Sequence, residues 1–236
     1  MRITNGRALL ERLTGLLILP IIPLMVAAMV LDPGLETRPE YLGESFAGFA
    51  PHREAYLAST ILMLAAAFAV LAAGAALLLR FRLLEMNLAT ASGLGLLASG
   101  LLVLGAAGAS LRIYQLSTEW LALSGTIANQ VESSALDVQQ LRFAFALLGF
   151  PLLLTSLICC GVVFHRLTGL PRWLLRLPVI SGIIMAASPL GFLGPGFVLF
   201  LGISALVLFA WLTLEIFLLL TRGAATSAPN AVQPTP

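Results

Sequence analysis

Six apolar runs, each near or above the length a helix needs to cross a bilayer, decide what this chain can fold into. A helix rising about 1.5 Å per residue takes roughly 20 apolar residues to traverse about 30 Å of hydrocarbon. Residues 13–31, 56–79, 88–111, 143–164 and 197–221 meet that length. Residues 174–193 form a weaker run, with Arg176 and Pro178 near its start and Pro189 and Gly191 near its end. Arg176 can snorkel to the headgroups, and an odd number of spans would leave Arg222 on the wrong side. The runs are continuous rather than alternating, which speaks for helices and against a membrane β-barrel. The expected architecture is an all-α, polytopic transmembrane bundle of six spans over residues 1–223. The polar, proline-bearing residues 224–236 are expected to form a disordered tail.

Of the 236 residues, 59% are hydrophobic and only 10% charged, and mean hydropathy is +1.00. Soluble domains carry about 25% charged residues. Here lipid must be the solvent for much of the surface, so the bilayer itself is the first partner. No basic cluster with interleaved aromatics occurs, which argues against nucleic acid. Cys159 and Cys160 are adjacent within an apolar run, with neither C-x-x-C spacing nor a histidine pair nearby. They read as softly polar core residues, not as a disulfide framework or a metal site.

All basic side chains other than histidine are arginines, and their placement sets the orientation. Arg2, Arg7, Arg12, Arg80, Arg82, Arg166, Arg172, Arg176 and Arg222 fall on one side, with Glu11 and Glu85. Arg38, Arg53, Arg112 and Arg142 fall on the other, with Asp32, Glu36, Glu40, Glu44, Glu54, Glu119, Glu132 and Asp137. Both termini are therefore expected in the cytoplasm, and the protein in the inner membrane of a bacterium. The first span also has features of a signal peptide, with a Val26-Ala27-Ala28 step. However, its apolar stretch is long for one and is interrupted by Pro20 and Pro23.

Two outer loops are long, at residues 32–55 and 112–142. The latter half of the second, Val131 to Arg142, suits either a separate short helix or an N-terminal extension of span four. The turn between spans two and three is short. Both spans carry small residues at four-residue spacing: Ala65, Ala69 and Ala73, then Ala91, Gly95 and Ser99. Such faces let helix backbones approach closely, either within this hairpin or between copies of the chain. Pro171 suits the first turn of span five.

Glu215 is the clear intramembrane ionisable residue, and such residues are functional candidates because charge in lipid is costly. It lies about 10 Å along the helix from Arg222. It suits a proton or cation relay facing a cavity, or an ion pair with Arg172, Arg176 or Arg222. Trp211, at i−4, is placed on the same face. His52 and His165 fall on opposite sides of the membrane and cannot clamp one haem; His165 reads as an interfacial residue. No H-E-x-x-H, G-x-x-x-x-G-K-[ST] or G-x-S-x-G motif occurs, so no catalytic, cofactor-binding or metal-ligating residue is assigned.

Four stretches resemble the domain of unknown function 4386 family of six-span bacterial membrane proteins. Arg12-Leu13-Thr14-Gly15-Leu16-Leu17-Ile18-Leu19 is similar to the family's R-x-x-G-L-L-x-L opening. Arg82-Leu83-Leu84 with Asn87-Leu88-Ala89 resembles its basic inner turn. Gly161 through Arg166 with Leu170-Pro171-Arg172 resembles its G-x-x-x-x-[KR]…L-P-R stretch, and the leucine-rich close at Thr221-Arg222-Gly223 fits as well. Leu167-Thr168-Gly169 departs from the family's Ser-Gly step, and Glu215 lies nearer the inner end than the family's acid. The resemblance implies a six-span architecture without an assigned activity, cofactor or catalytic residue. The leading expectation is a non-enzymatic integral membrane protein with a structural, accessory or partner-binding role, its protein partner or homo-oligomeric state unspecified. The runner-up is a small-solute or ion transporter using Glu215. For it, six spans divide into two triplets of opposite orientation, whose first spans carry Pro20 and Pro23, and Pro151.

Overall fold

The computed structural model describes residues 13–32, 52–81, 86–168, 170–186, 206–218 and 220–221. The expected tail at 224–236, Arg222, residues 187–205 and most of the first expected outer loop lie outside the described residues. Every regular element among the described residues is helical. Helix α1 covers Leu13–Leu31 and is interrupted by a turn at Leu19 and Pro20. Helix α2 is Arg53–Phe81, α3 is Met86–Trp120 and α4 is Thr126–Thr168. A short 3-10 turn, Arg172–Leu175, leads into α5, Arg176–Ala186, and α6 covers Leu206–Leu218. The first four helices are long and apolar enough to cross a membrane; the apolar helices in the fifth and sixth positions are shorter within the described residues.

These four helices are apolar nearly all round, as helices immersed in lipid are. Neighbours in sequence are neighbours in space: α1 lies along α2, α2 along α3 and α3 along α4, and α5 returns against α4. The main core draws on five helices, with Ile18 and Ile21 from α1, Val70 and Leu77 from α2, and Leu96 from α3. Leu157 and Phe164 of α4 and Trp211 and Ile216 of α6 complete it. Without a water-driven force between helices in lipid, close backbone approach supplies the packing. Gly74 provides it between α2 and α3, where an added Cβ would stand 3.0 Å from the Gly93 carbonyl oxygen. Of the expected small-residue stripe, Ala65 and Ala91 are exposed, Ala69 is half-buried, and Ala73 and Ser99 are buried; α2 and α3 approach where Gly74 lies against Gly93 and Leu96 and where Gly100 lies against Val70 and Leu71. Gly95 faces Ser156 of α4 instead.

The second outer loop is mostly helix. α3 continues to Trp120 and α4 starts at Thr126, so the extension of span four is what forms, joined by a short turn with Gly125 at φ +69°. With 35 residues, α3 is roughly 52 Å long at about 1.5 Å per residue, well beyond the hydrocarbon thickness. The overhanging part has its own small core, in which Ile113, Leu116 and Ala135 pack with Tyr56 at the start of α2.

Prolines act differently in α1 and α4. Pro20 stands in a break of α1, whereas α4 runs through Pro151. Beyond it, Thr155 and Ser156 donate to the carbonyls of Pro151 and Leu152, at 2.8 and 2.7 Å. This is the back-bonding of hydroxyls in membrane helices. The two triplets therefore share proline content but not proline geometry. Pro171 stands at the N-cap of the 3-10 turn rather than in the first turn of the fifth helix, and its carbonyl accepts from the Leu174 N–H at 3.0 Å.

Candidate functional site

Glu215 lies on α6 one turn after Trp211, and both face α4. What lets Trp211 lie there is Gly161: a Cβ at that position would collide with the six-membered ring of the indole. The ring thus sits against bare α4 backbone, with its N–H aimed along α6 at the carboxylate. Gly15 does the equivalent for α1, where an added Cβ would stand 2.8 Å from Ile216 Cγ2.

The carboxylate is fully enclosed, at 0% exposure. Its Oε1 accepts from Trp211 Nε1–H at 3.1 Å and lies 2.6 Å from His165 Nδ1. Its Oε2 lies 2.6 Å from Thr168 Oγ1. An indole N–H can only donate, so Oε1 is an acceptor. With Glu215 ionised, the contact to the same oxygen is Nδ1–H of His165 donating to a carboxylate, a short charge-assisted bond. His165 and Thr168 are three residues apart on α4, and that spacing puts both on one helix face. Thr168 Oγ1 also lies 3.1 Å from the His165 carbonyl oxygen. Its single proton can serve only one of the two acceptors at a time.

His165 is 3% exposed, so its ring is enclosed by the protein's own helices. Of the three arginines expected as partners, Arg176 is exposed, and the Arg172 side chain and Arg222 lie outside the described residues; the acid is held by His165, Thr168 and Trp211. The placement of Trp211 on the face of Glu215 is as expected. His52 is exposed at the start of α2 and His165 sits near the far end of α4, so they do not meet. Cys160 is buried in the core, Cys159 is half-buried, and both are free thiols. No group of three or more metal-binding side chains occurs among the described residues.

A second polar centre, unexpected from sequence, lies at the opposite end of the bundle. Arg142 Nη2 donates to Asp32 Oδ2 at 2.6 Å, with side chains only 2% and 8% exposed. The guanidinium also stands 5.4 Å from the Tyr56 ring centroid, within cation–π range. Asp32 caps α1, its N–H bonding to the Ala28 carbonyl, and Ser59 of α2 donates to that same carbonyl at 2.7 Å. Arg53 of α2 stacks over Tyr114 of α3 at 5.0 Å and donates to its hydroxyl at 3.3 Å. These contacts tie α1, α2, α3 and α4 together at that end, as the Glu215 cluster ties α4 to α6 at the other. Both residues of the ion pair had counted only as loop charges. The available signal was that Asp32 directly follows one apolar run and Arg142 directly precedes another.

No family model matches the chain, and no curated protein and no solved structure matches it either.

A substitution at Gly161 tests the indole seat. Gly161→Ala is expected to lower stability by about 1–3 kcal/mol, as overpacking of a filled interior does. It should also alter Trp211 emission as Nε1–H leaves the carboxylate. Unfolding and fluorescence in detergent, with the other two tryptophans replaced by phenylalanine, read both effects; unchanged emission would contradict the seat.

Proposed function

We propose that this chain is a six-span integral protein of a bacterial inner membrane with both termini in the cytoplasm. We assign it a non-catalytic role, as a structural, accessory or partner-binding component. The six-span plan rests on the four long apolar helices, the two shorter ones after them, the arginine asymmetry and the resemblance to the domain of unknown function 4386 family. In this orientation the Glu215 cluster lies toward the cytoplasm and the Arg142–Asp32 pair toward the outside. The observation that carries the role is the closure of Glu215. Its carboxylate oxygens are engaged by three side chains of the protein's own α4 and α6 and have no exposed surface. A working relay group needs a path to solvent or solute. This one is positioned as a lock between helices.

Transport is the second reading, favoured by the ionisable pair itself, since charge inside a span is costly to maintain. Reconstituted vesicles under an imposed proton gradient separate the two. The expected result is no solute flux above protein-free vesicles. Flux that disappears in Glu215→Gln would establish transport instead. A reporter fused after Arg222 is expected to be accessible only from the cytoplasmic side, and external accessibility would reverse the orientation.

A further inference from the structure

The turn between α4 and α5 carries positive charge that the chain itself does not match. Arg166, Arg172 and Arg176 fall within one short stretch, and no acid occurs between Asp137 and Glu215. Glu215 is fully enclosed among its own partners and offers that stretch nothing. Arg166 and Arg176 are exposed, and no carboxylate among the described residues pairs with Arg176.

The same turn presents an ordered stripe outward. Trp173 is 61% exposed, Ile180 54% and Ile183 65%, with exposed Arg176 between the first two. Side chains three apart are eclipsed in a 3-10 turn. The Arg176 N–H bonds to the Trp173 carbonyl, so indole and guanidinium leave the chain on one side. Ile180 and Ile183 continue that face of α5, four and seven residues beyond Arg176. The opposite face is already taken. Leu175 packs against the core, Ser181 is buried, and a Cβ added to Gly182 would collide with Ile158 of α4. The stripe thus passes from an indole and a cation to aliphatic side chains about 10 Å farther along the helix. A phospholipid has the complementary order, anionic at one end and aliphatic at the other. A soluble anion would match only the first turn of the stripe.

We propose that this stripe is a binding site for one anionic phospholipid of the cytoplasmic leaflet. The lipid phosphate pairs with Arg176, the glycerol backbone lies on the Trp173 ring, and an acyl chain follows Ile180 and Ile183. Arginine suits the phosphate because its planar fork offers two parallel N–H bonds. Tryptophan suits the glycerol level because it is an apolar ring with one polar edge. Arg166, at the end of α4, adds positive charge that favours an anionic headgroup. A zwitterionic lipid brings its own ammonium beside the phosphate and gains less. The leaflet rests on the orientation proposed above; the preference for anionic lipid does not.

The test is native mass spectrometry of the full chain released from detergent micelles that contain dioleoyl phosphatidylglycerol or dioleoyl phosphatidylcholine. The expected result is one phosphatidylglycerol retained about tenfold more tightly than phosphatidylcholine, the scale of one to two guanidinium groups at an anionic surface. Arg176→Gln should weaken phosphatidylglycerol about fivefold and leave phosphatidylcholine unchanged. Trp173→Ala should weaken both lipids. Arg112→Gln, which removes an exposed arginine on α3, should change neither. Inorganic phosphate should leave the bound lipid in place. Thermal unfolding of each variant verifies that it is folded. Equal retention of the two lipids, wild-type retention in Arg176→Gln, an equal loss in Arg112→Gln, or displacement by inorganic phosphate would each overturn the proposal. An externally accessible reporter after Arg222 would move the site to the other leaflet and leave these micelle results as they are, so the two readings fail separately.

Discussion

Arg142→Ala is expected to destabilise the protein by about 3–5 kcal/mol, the usual cost of removing one member of a buried ion pair. The loss has two sources. Asp32 keeps its charge at a site where only 8% of its side chain meets solvent, and its 2.6 Å bond is gone. The Tyr56 ring loses the cation that lies over it, and a cavity opens where one of the largest fully buried side chains stood. Arg142→Lys should recover little, because an ammonium group has neither the guanidinium's planar stacking surface nor its fork of donors. Arg142→Met combined with Asp32→Asn should be markedly more stable than Arg142→Ala, since no unpaired charge is then left buried. Reversible unfolding in a mild detergent reads all four proteins. An Arg142→Ala protein within about 0.5 kcal/mol of wild type, the range of ordinary surface changes, would remove the pair from any account of stability.

Glu215→Ala and Glu215→Gln are expected to differ sharply, and the reason is the single proton on Thr168. Alanine leaves the Trp211 N–H and the His165 Nδ1–H facing a void, while the Thr168 hydroxyl keeps the His165 carbonyl as its acceptor. Unsatisfied buried groups cost about 1–3 kcal/mol each, so even with relaxation the loss should reach about 3 kcal/mol. Glutamine can keep its carbonyl oxygen where Oε1 stands, still accepting from Trp211 and His165. Its amide nitrogen then occupies the place of Oε2 and donates to Thr168 Oγ1. The threonine turns its own proton to the His165 carbonyl, 3.1 Å away, and every group retains a partner. The expected cost is therefore below about 1.5 kcal/mol, the scale of one net hydrogen bond. Equal losses in the two variants would mean that Thr168 does not switch acceptors.

Much of the helical layout was legible because apolar run length is a strong signal in lipid. Span two, read as 56–79, lies within α2 at Arg53–Phe81. The overhang of α3 and α4 was harder to read. Residues 112–120 and 126–142 are polar enough to resemble a loop, yet they bury a narrow seam through Ile113, Leu116 and Ala135 that holds them helical. The small-residue stripe holds only in part, for a geometric reason. A strict four-residue repeat drifts around a helix of 3.6 residues per turn, so Ala65 and Ala91 rotate out of the seam while Ala73 remains in it.

At the site, Glu215 and Trp211 were legible because one is an isolated charge in a span and the other is its helical neighbour. His165 was not, because it lies 50 positions away and no local pattern reveals which helices touch. The usable clue was the side of the membrane: His165 directly precedes Arg166 and Glu215 lies seven residues before Arg222, at span ends assigned to the same side. The same reasoning applies to Asp32 and Arg142, 110 positions apart, at ends assigned to the other side.

The turn that joins α3 to α4, with Ser124 and the left-handed Gly125 at its crest, stands on a rod that outreaches the acyl chains by roughly 20 Å. Ser124 is exposed, and nothing would crowd a Cβ built on Gly125. A short epitope or a single dye spliced there hangs clear of headgroups and detergent alike, and leaves both charged clasps and the tryptophan seat untouched. Nature has thus supplied a mast on which antibodies, cross-linkers or gold can be hung to watch the buried machinery from a distance.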